Sequence, residues 1–434
     1  MAGSKMVMEG TFARIVSMPV TGQPELPTFA TVRAMIEKYA STLRPTRAER
    51  VSLEDAPGRV LAKSIAADRD LPPFPRSARD GFAVRVGDLR DTSISLKVIG
   101  ELKAGDDAGR FFVGEGECVS IMTGAAVPEG ANAVVMVEYA TQAGGFVSFQ
   151  RGAEAGENIV PRGSEARAGQ ELVAKGMRIG HAVIAAAATV GQTELTVYCR
   201  PTVAILATGD ELVPIDAAPG PYQIRNSNSF SLAAQVRAAG GSPSILPTAP
   251  DDPVRLRELI AEGLQSDLLL LSGGVSMGKY DIVENVLEEF GVRFLFTGAL
   301  IQPGKPVVFG ESEMDGGHRA RVFGLPGNPV STMVTFELFV RPVLESLAGR
   351  PMRTLRFTQA KLAEDLRTKP GLTRFLPARL NGEAGTVQVE RLNWQGSGDI
   401  VTVVQASCYI VVPPDRELIA AGEMVSILIP GADL

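Results

Sequence analysis

Histidine and cysteine are almost missing from this chain. Only His181 and His318 stand beside Cys118, Cys199 and Cys408, which lie far apart and form no Cys-x-x-Cys pair. A zinc framework needs three or four such ligands at short spacing, and a disulfide scaffold needs many paired thiols, so both are excluded. Positive charge is also scarce. The 43 Lys and Arg against 49 Asp and Glu leave a net charge of -6, with no dense basic run. A broad nucleic-acid interface, which needs a basic face, is therefore not expected. Long apolar runs are lacking too: the longest, Ala182 to Val190, is about half of what spans a bilayer. The first 27 residues contain Lys5, Glu9, Arg14 and Glu25 without a continuous apolar core, so they do not read as a secretory signal. No membrane association is expected, and the reducing cytoplasm is the expected compartment.

What remains is an ordinary globular composition, 45% hydrophobic and 21% charged. At 434 residues the chain exceeds one hydrophobic core, so three or four domains are expected. Residues 1–27 show no periodicity and read as a poorly ordered tail. Phe29, Val32, Met35, Ile36, Tyr39 and Leu43 recur at helical spacing, and a second short helix is expected after Ser52, burying Leu53, Val60 and Leu61. Residues 28–69 and 161–200 are thus expected to form a discontinuous, elongated helical domain. Between them, residues 70–160 hold short β-type runs separated by Gly, Asp and Pro turns, the pattern of an inserted small β domain. Residues 201–350 alternate strand and helix, which implies an α/β domain with a mainly parallel sheet and ligands at the strands' carboxyl ends. Strand-type runs return over 351–434, including Ile400–Val404, and predict a small C-terminal β-barrel-like domain.

Three glycine-rich turns crowd the α/β segment. They are Ser272-Gly273-Gly274-Val275-Ser276, then Pro303-Gly304-Lys305-Pro306, then Leu325-Pro326-Gly327-Asn328-Pro329-Val330-Ser331. Turns of this kind expose backbone N–H groups, and a helix starting there adds its positive dipole end. Together they point to a pocket for an elongated anionic ligand. Thr208-Gly209-Asp210-Glu211 follows the strand 203–207 directly, and a carboxylate pair beside phosphate-binding turns suits Mg²⁺. An ordinary polar loop explains the same residues. In Asp251-Asp252-Pro253, Asp252 is expected as a helix N-cap with Pro253 at the first position, leaving Asp251 free for a cation. Asp281, three residues before Glu284, reads as a cap, a metal ligand, or both. Lys305 is either a solvated lysine or an anion contact. Two segments of the β domain deliver Asp80 and Thr123 to strand ends, with a plain Asp-Gly turn as the simpler account of the first.

Taken together, these segments resemble the molybdopterin molybdenumtransferase family, the MoeA proteins related to the C-terminal domain of gephyrin. The resemblance rests on Pro-Pro-Phe with Ser-Ala-x-Asp-Gly-Phe-Ala-Val (72–84), Ile-Met-Thr-Gly-Ala-x-Val-Pro (121–128) and Thr-Gly-Asp-Glu-Leu (208–212). Asp-Asp-Pro (251–253) and the three glycine turns complete it, and the order covers nearly the whole chain after the tail. The resemblance implies a homodimer of four-domain subunits whose active site joins the α/β domain of one to the inserted β domain of the other. It implies a reaction of adenylylated molybdopterin (molybdopterin-AMP) with molybdate, releasing AMP in a Mg²⁺-dependent step. Glu211, Asp251 and Asp281 would hold the metal. Thr208, Gly209, Asp210, Ser272, Gly273, Gly274, Ser276, Lys305, Pro326, Gly327, Asn328, Pro329 and Ser331 would hold the pterin ligand or molybdate. Asp80 and Thr123 would act from across the dimer. A molybdopterin adenylyltransferase and downstream molybdenum-cofactor enzymes become candidate partners.

Three positions depart from the commoner family pattern. Gln302 replaces the first lysine of Lys-Pro-Gly-Lys-Pro, Val160 stands where arginine is frequent, and Pro377 occupies a position near Phe375 where arginines are common. Arg374 and Arg379 are candidate substitutes. These departures motivate an alternative reading, a non-catalytic pterin- or nucleotide-binding scaffold or sensor. A generic phosphotransferase is disfavoured because no Walker-type Gly-x-x-x-x-Gly-Lys-Ser/Thr is present.

Overall fold

Leu268 to Leu271 are four consecutive leucines, all fully buried. A strand can bury every side chain only if both sheet faces are covered. In the computed structural model, which describes residues 26–89, 95–273, 282–313, 317–351, 357–383 and 387–431, this is the case. Leu268 and Leu270 face one core, with Val203 and Ile205. Leu269 and Leu271 face the other, with Ala204 and Leu206. Each fully buried leucine contributes about 1.5–3 kcal/mol.

The central sheet has six strands in the order Ser242–Ile245, Thr202–Ala207, Leu268–Ser272, Arg319–Leu325, Val308–Glu313, Arg293–Phe296. The first four are parallel. Val308–Glu313 alone runs against the rest, antiparallel to both Arg319–Leu325 and Arg293–Phe296, so the sheet is mainly parallel, as expected. Pro253–Gly263 and Ile282–Glu289 cover one face. Asn228–Ala238 and the long helix from Pro329 to Leu347 cover the other. That long helix widens to a π-type turn over Phe336–Val340. Pro342 follows one residue later and has no N–H to give the regular i→i−4 bond.

The segments 28–69 and 161–200 correct one expectation. Phe29–Thr42 is helical, as its spacing predicts, but Phe29, Val32 and Ile36 pack into the central domain's core. No helix follows Ser52. Ala48–Ser52 is a strand paired antiparallel with Glu194–Tyr198. The Ser52 hydroxyl accepts from Asp55 N–H (3.1 Å) and closes a turn. Gly58, at φ +79°, then breaks any helical run. Leu61 and Val60 are buried all the same. Within 161–200, His181–Thr189 is helical.

The inserted segment forms a six-stranded sheet ordered Ala133–Met136, Gly81–Val84, Glu117–Ile121, Leu96–Leu102, Phe146–Phe149, Ala140–Ala143. In the C-terminal region, five strands close into a barrel, because Thr373–Asn381 pairs with both Gln388–Arg391 and Cys408–Val412. Ile301–Gln302 pairs in parallel with the first two residues of Thr373–Asn381. Ile400–Val404, expected as a strand from its β-branched residues, is instead a short helix. Asp399 caps it, accepting from Thr402 N–H (3.0 Å) and the Thr402 hydroxyl (2.6 Å). A local cap here outweighs strand propensity.

Candidate functional site

Three parallel strands end level in the middle of the central sheet. Ala207 lies opposite Ser272, and Ser272 opposite Leu325. The turns after them therefore open side by side at the carboxyl edge, where α/β sheets place ligands. Backbone bonds lock the turns together. Thr208 N–H donates to Ser272 O (3.1 Å), Gly273 N–H to Leu325 O (3.2 Å) and Gly209 N–H to Ala249 O (3.2 Å). Gly273 sits at φ +93°, and a Cβ there would lie 2.6 Å from the Thr208 carbonyl oxygen. No other residue fits that turn without displacing backbone.

These turns wall an open cleft. Of the expected residues, Thr208, Glu211, Ser272, Gly273, Gly327 and Pro329 line it. Ala207 and Leu212 add to it, and the remainder of the wall comes from Ile224, Arg225, Asn226, Ser227 and Asn228, a segment that the sequence reading missed. Asn228 joins two of the glycine turns: its Nδ2 donates to Ser272 Oγ (2.9 Å) and to Gly327 O (2.7 Å). A signal was present in Asn226-Ser227-Asn228-Ser229, short polar side chains of the kind that bond backbone at a helix start.

Beside the cleft, the acidic residues crowd. Asp210 accepts from the Asp251 N–H (3.0 Å), tying the Thr-Gly-Asp-Glu turn to the Asp-Asp-Pro turn. Asp252 caps its helix as expected, accepting from Arg255 N–H (3.1 Å) with Pro253 at the first position. Partial burial, and then the charges of Asp210 and Glu211, push Asp251 above the usual carboxylate range. A cation placed here would relieve that repulsion. The donors are hard oxygens of the type Mg²⁺ takes. Among the described residues, no three side chains make a complete metal cage.

Other expected residues stand apart from the cleft. Lys305 and Gln302 are exposed at the Pro-Gly-Lys-Pro turn. That turn reaches the sheet ahead of the antiparallel strand Val308–Glu313 rather than after a parallel one. Gln302 lies in register with Arg374, whose Nη1 donates to Leu372 O (3.2 Å). Ser331 is buried in its helix, and Pro326 is buried with its carbonyl accepting from the Thr332 hydroxyl (2.5 Å). Asn328 is exposed at the helix N-cap position. Val160 pairs with Arg76, and Pro377 with Tyr409, both away from the cleft. Gly274, Ser276 and Asp281 lie outside the described residues.

Asp80 and Thr123 come together in the inserted domain. Asp80 Oδ1 accepts from Thr123 N–H (2.7 Å) and from its hydroxyl (2.8 Å). Those two bonds hold the Asp80 carboxyl below its ordinary range. Both residues are exposed, and neither lines the cleft of its own chain.

Comparison with known proteins agrees along the chain. Residues 28–191 match the family model "MoeA N-terminal region (domain I and II)". Residues 204–346 match "Probable molybdopterin binding domain", and 359–429 match "MoeA C-terminal region (domain IV)". The chain is 33% identical over 391 residues to a molybdopterin molybdenumtransferase of Bacillus subtilis, covering 88% of this chain and 89% of that one. A protein of the same name from Synechococcus elongatus is 34% identical, over 88% of this chain and 94% of its own length. Among solved structures, a molybdopterin biosynthesis MoeA protein from Pyrococcus horikoshii is 28% identical with a TM-score of 0.78, covering 93% of this chain and all of that one. No helix among the described residues is long and apolar enough to cross a membrane.

Proposed function

The chain belongs to the molybdopterin molybdenumtransferase (MoeA) family of enzymes of molybdenum cofactor biosynthesis, and from this we propose that it inserts molybdate into adenylylated molybdopterin with Mg²⁺-dependent release of AMP. The observation that carries the reading is the cleft itself. Glycine turns from three adjacent strands open onto one space, with Glu211 in its wall and the Asp210–Asp251 pair beside it. Thr208, Ser272, Gly273 and Gly327 supply hydroxyl and backbone groups for an anionic ligand. Glu211 and Asp251, with Asp281, would hold Mg²⁺. Bound there, the ion would neutralise diphosphate charge as the bond to AMP is cleaved. The protein's own contribution is positioning: Asn228 fixes two turns against each other, and Asp210 fixes the loop that carries Asp251. Asp80 and Thr123 of the partner subunit would complete the site in a homodimer. The enzymes sharing the curated relatives' name weigh against a purely non-catalytic scaffold.

The test is direct. Adenylylated molybdopterin, molybdate and Mg²⁺ are supplied to the purified protein, and AMP release is followed. Molybdate-stimulated, Mg²⁺-dependent release is expected. Tight pterin binding with no stimulated release would sink the enzymatic reading.

A further inference from the structure

Arg225 belongs to no motif that the sequence displays, yet its placement is specific. Ile224–Arg225 is a two-residue strand that pairs in parallel with Leu212–Val213, immediately after the Thr-Gly-Asp-Glu turn. Ile224 N–H donates to Glu211 O (2.8 Å), and Asn226 N–H donates to Val213 O (3.0 Å), so Arg225 is stitched on both sides. Its Nε donates to the Ala217 carbonyl (3.0 Å), which fixes the guanidinium plane. Among the described residues no carboxylate pairs with it. It is the cation in the cleft wall, while Lys305 lies outside that wall.

A second observation points into the same space. Thr208 lines the cleft with 5% exposure, and its Oγ1 is buried without a hydrogen-bond partner among the described residues. A buried hydroxyl is costly to leave unpaired, and a ligand oxygen would satisfy it. Glu211 lines the cleft as well, without pairing with Arg225. The wall therefore presents a cationic fork and an acidic group as separate features. That polarity suits a ligand carrying a phosphate and, beside it, a charge neutralised by a divalent cation.

We propose that Arg225 is the phosphate-anchoring residue of this cleft, with the Thr208 hydroxyl as a further contact to the same tetrahedral oxyanion. The assignment deepens the function proposed above and takes from it the identity of the phosphate-bearing ligand. Lys305 then contributes no contact within this cleft.

Binding of inorganic pyrophosphate and of sodium molybdate to the full-length protein is measured by calorimetry for wild type, R225Q, R225K and K305Q. Arg225 is exposed, and circular dichroism checks that its variants fold. R225Q is expected to weaken pyrophosphate about 10- to 100-fold, with R225K intermediate because a lysine keeps charge without the fork. K305Q is expected to lose less than R225Q. Weaker pyrophosphate binding in R225Q supports the assignment whether or not molybdate binding also falls. Unchanged pyrophosphate affinity, or a loss confined to molybdate or larger in K305Q, overturns it. The AMP-release assay separates this from the proposed activity. A wild type that binds pyrophosphate through Arg225 but releases no AMP keeps the anchor and loses the reaction. A wild type that turns over while R225Q leaves both pyrophosphate affinity and KM unchanged keeps the reaction and loses the anchor.

Discussion

Asp80 and Thr123 show how two short side chains define a charge state at an exposed position. The Thr123 N–H and hydroxyl both donate to one Asp80 oxygen and favour its ionised form. A carboxyl whose folded pKa is lowered contributes stability above its unfolded pKa, and loses it as pH falls through the folded value. Thr123→Val removes the hydroxyl and keeps the N–H. Carbonyl-carbon NMR titration should show the Asp80 pKa moving up toward the ordinary range. The stability difference from wild type should be present at pH 7 and vanish in strong acid; an unmoved titration curve would show that the hydroxyl bond is not formed in solution. Gly273 provides a second residue-level expectation. Alanine at φ +93°, with its Cβ 2.6 Å from a backbone oxygen, should cost about 1–3 kcal/mol in urea unfolding. It should also weaken pyrophosphate binding, because the Gly273 and Thr208 turns share the cleft wall. A Gly273→Ala protein as stable as wild type would mean that the turn relaxes freely.

Among the elements, the long helix from Pro329 to Leu347 carries a buried polar network. Glu337, 4% exposed, accepts from Arg341 Nε (2.6 Å) and Nη2 (2.9 Å), Gln235 Nε2 (2.9 Å) and Gly431 N–H (3.2 Å). It ties a neighbouring helix and the C-terminal segment to the π-type turn. Glu337→Ala removes Arg341's nearer partner and leaves it, among the described residues, only the 3.5 Å pair with Glu345, so it should cost about 1.5–3 kcal/mol. The double variant Glu337→Met with Arg341→Leu should recover much of that loss. Equal unfolding midpoints for single and double variants would show that packing, not charge, sets the cost. Elements of this kind were legible in the sequence where periodicity was strong. Phe29–Thr42 and the alternating strands and helices of 201–347 follow from apolar spacing, and His181–Thr189 from its run of alanines. Ile400–Val404 misled because an aspartate cap competes with β-branched residues over only five positions. The glycine turns were legible because positive φ and close backbone approach demand glycine. Asn228 and Arg225 were not, since their meaning lies in contacts such as Asn228 to Gly327, formed by segments far apart in the chain.

At the scale of the whole molecule, the Asp80–Thr123 pair stands away from the cleft of its own chain. Among the described residues, the cleft wall draws on the segments 207–212, 224–228, 272–273 and 327–329, with nothing from the inserted β domain. An exposed, ordered carboxylate held by two hydrogen bonds fits a site completed by a second copy, and a two-fold dimer would form two such sites. Intersubunit complementation tests this. Asp80→Asn and Asp251→Asn proteins should each be nearly inactive alone, because each lacks one half of every site. After they are unfolded and refolded together, half of the dimers carry both chains, and each of these has one intact site of two. AMP release should then recover to roughly a quarter of wild type. If the site lay within one chain, every site in the mixture would still lack a residue, and no recovery could occur.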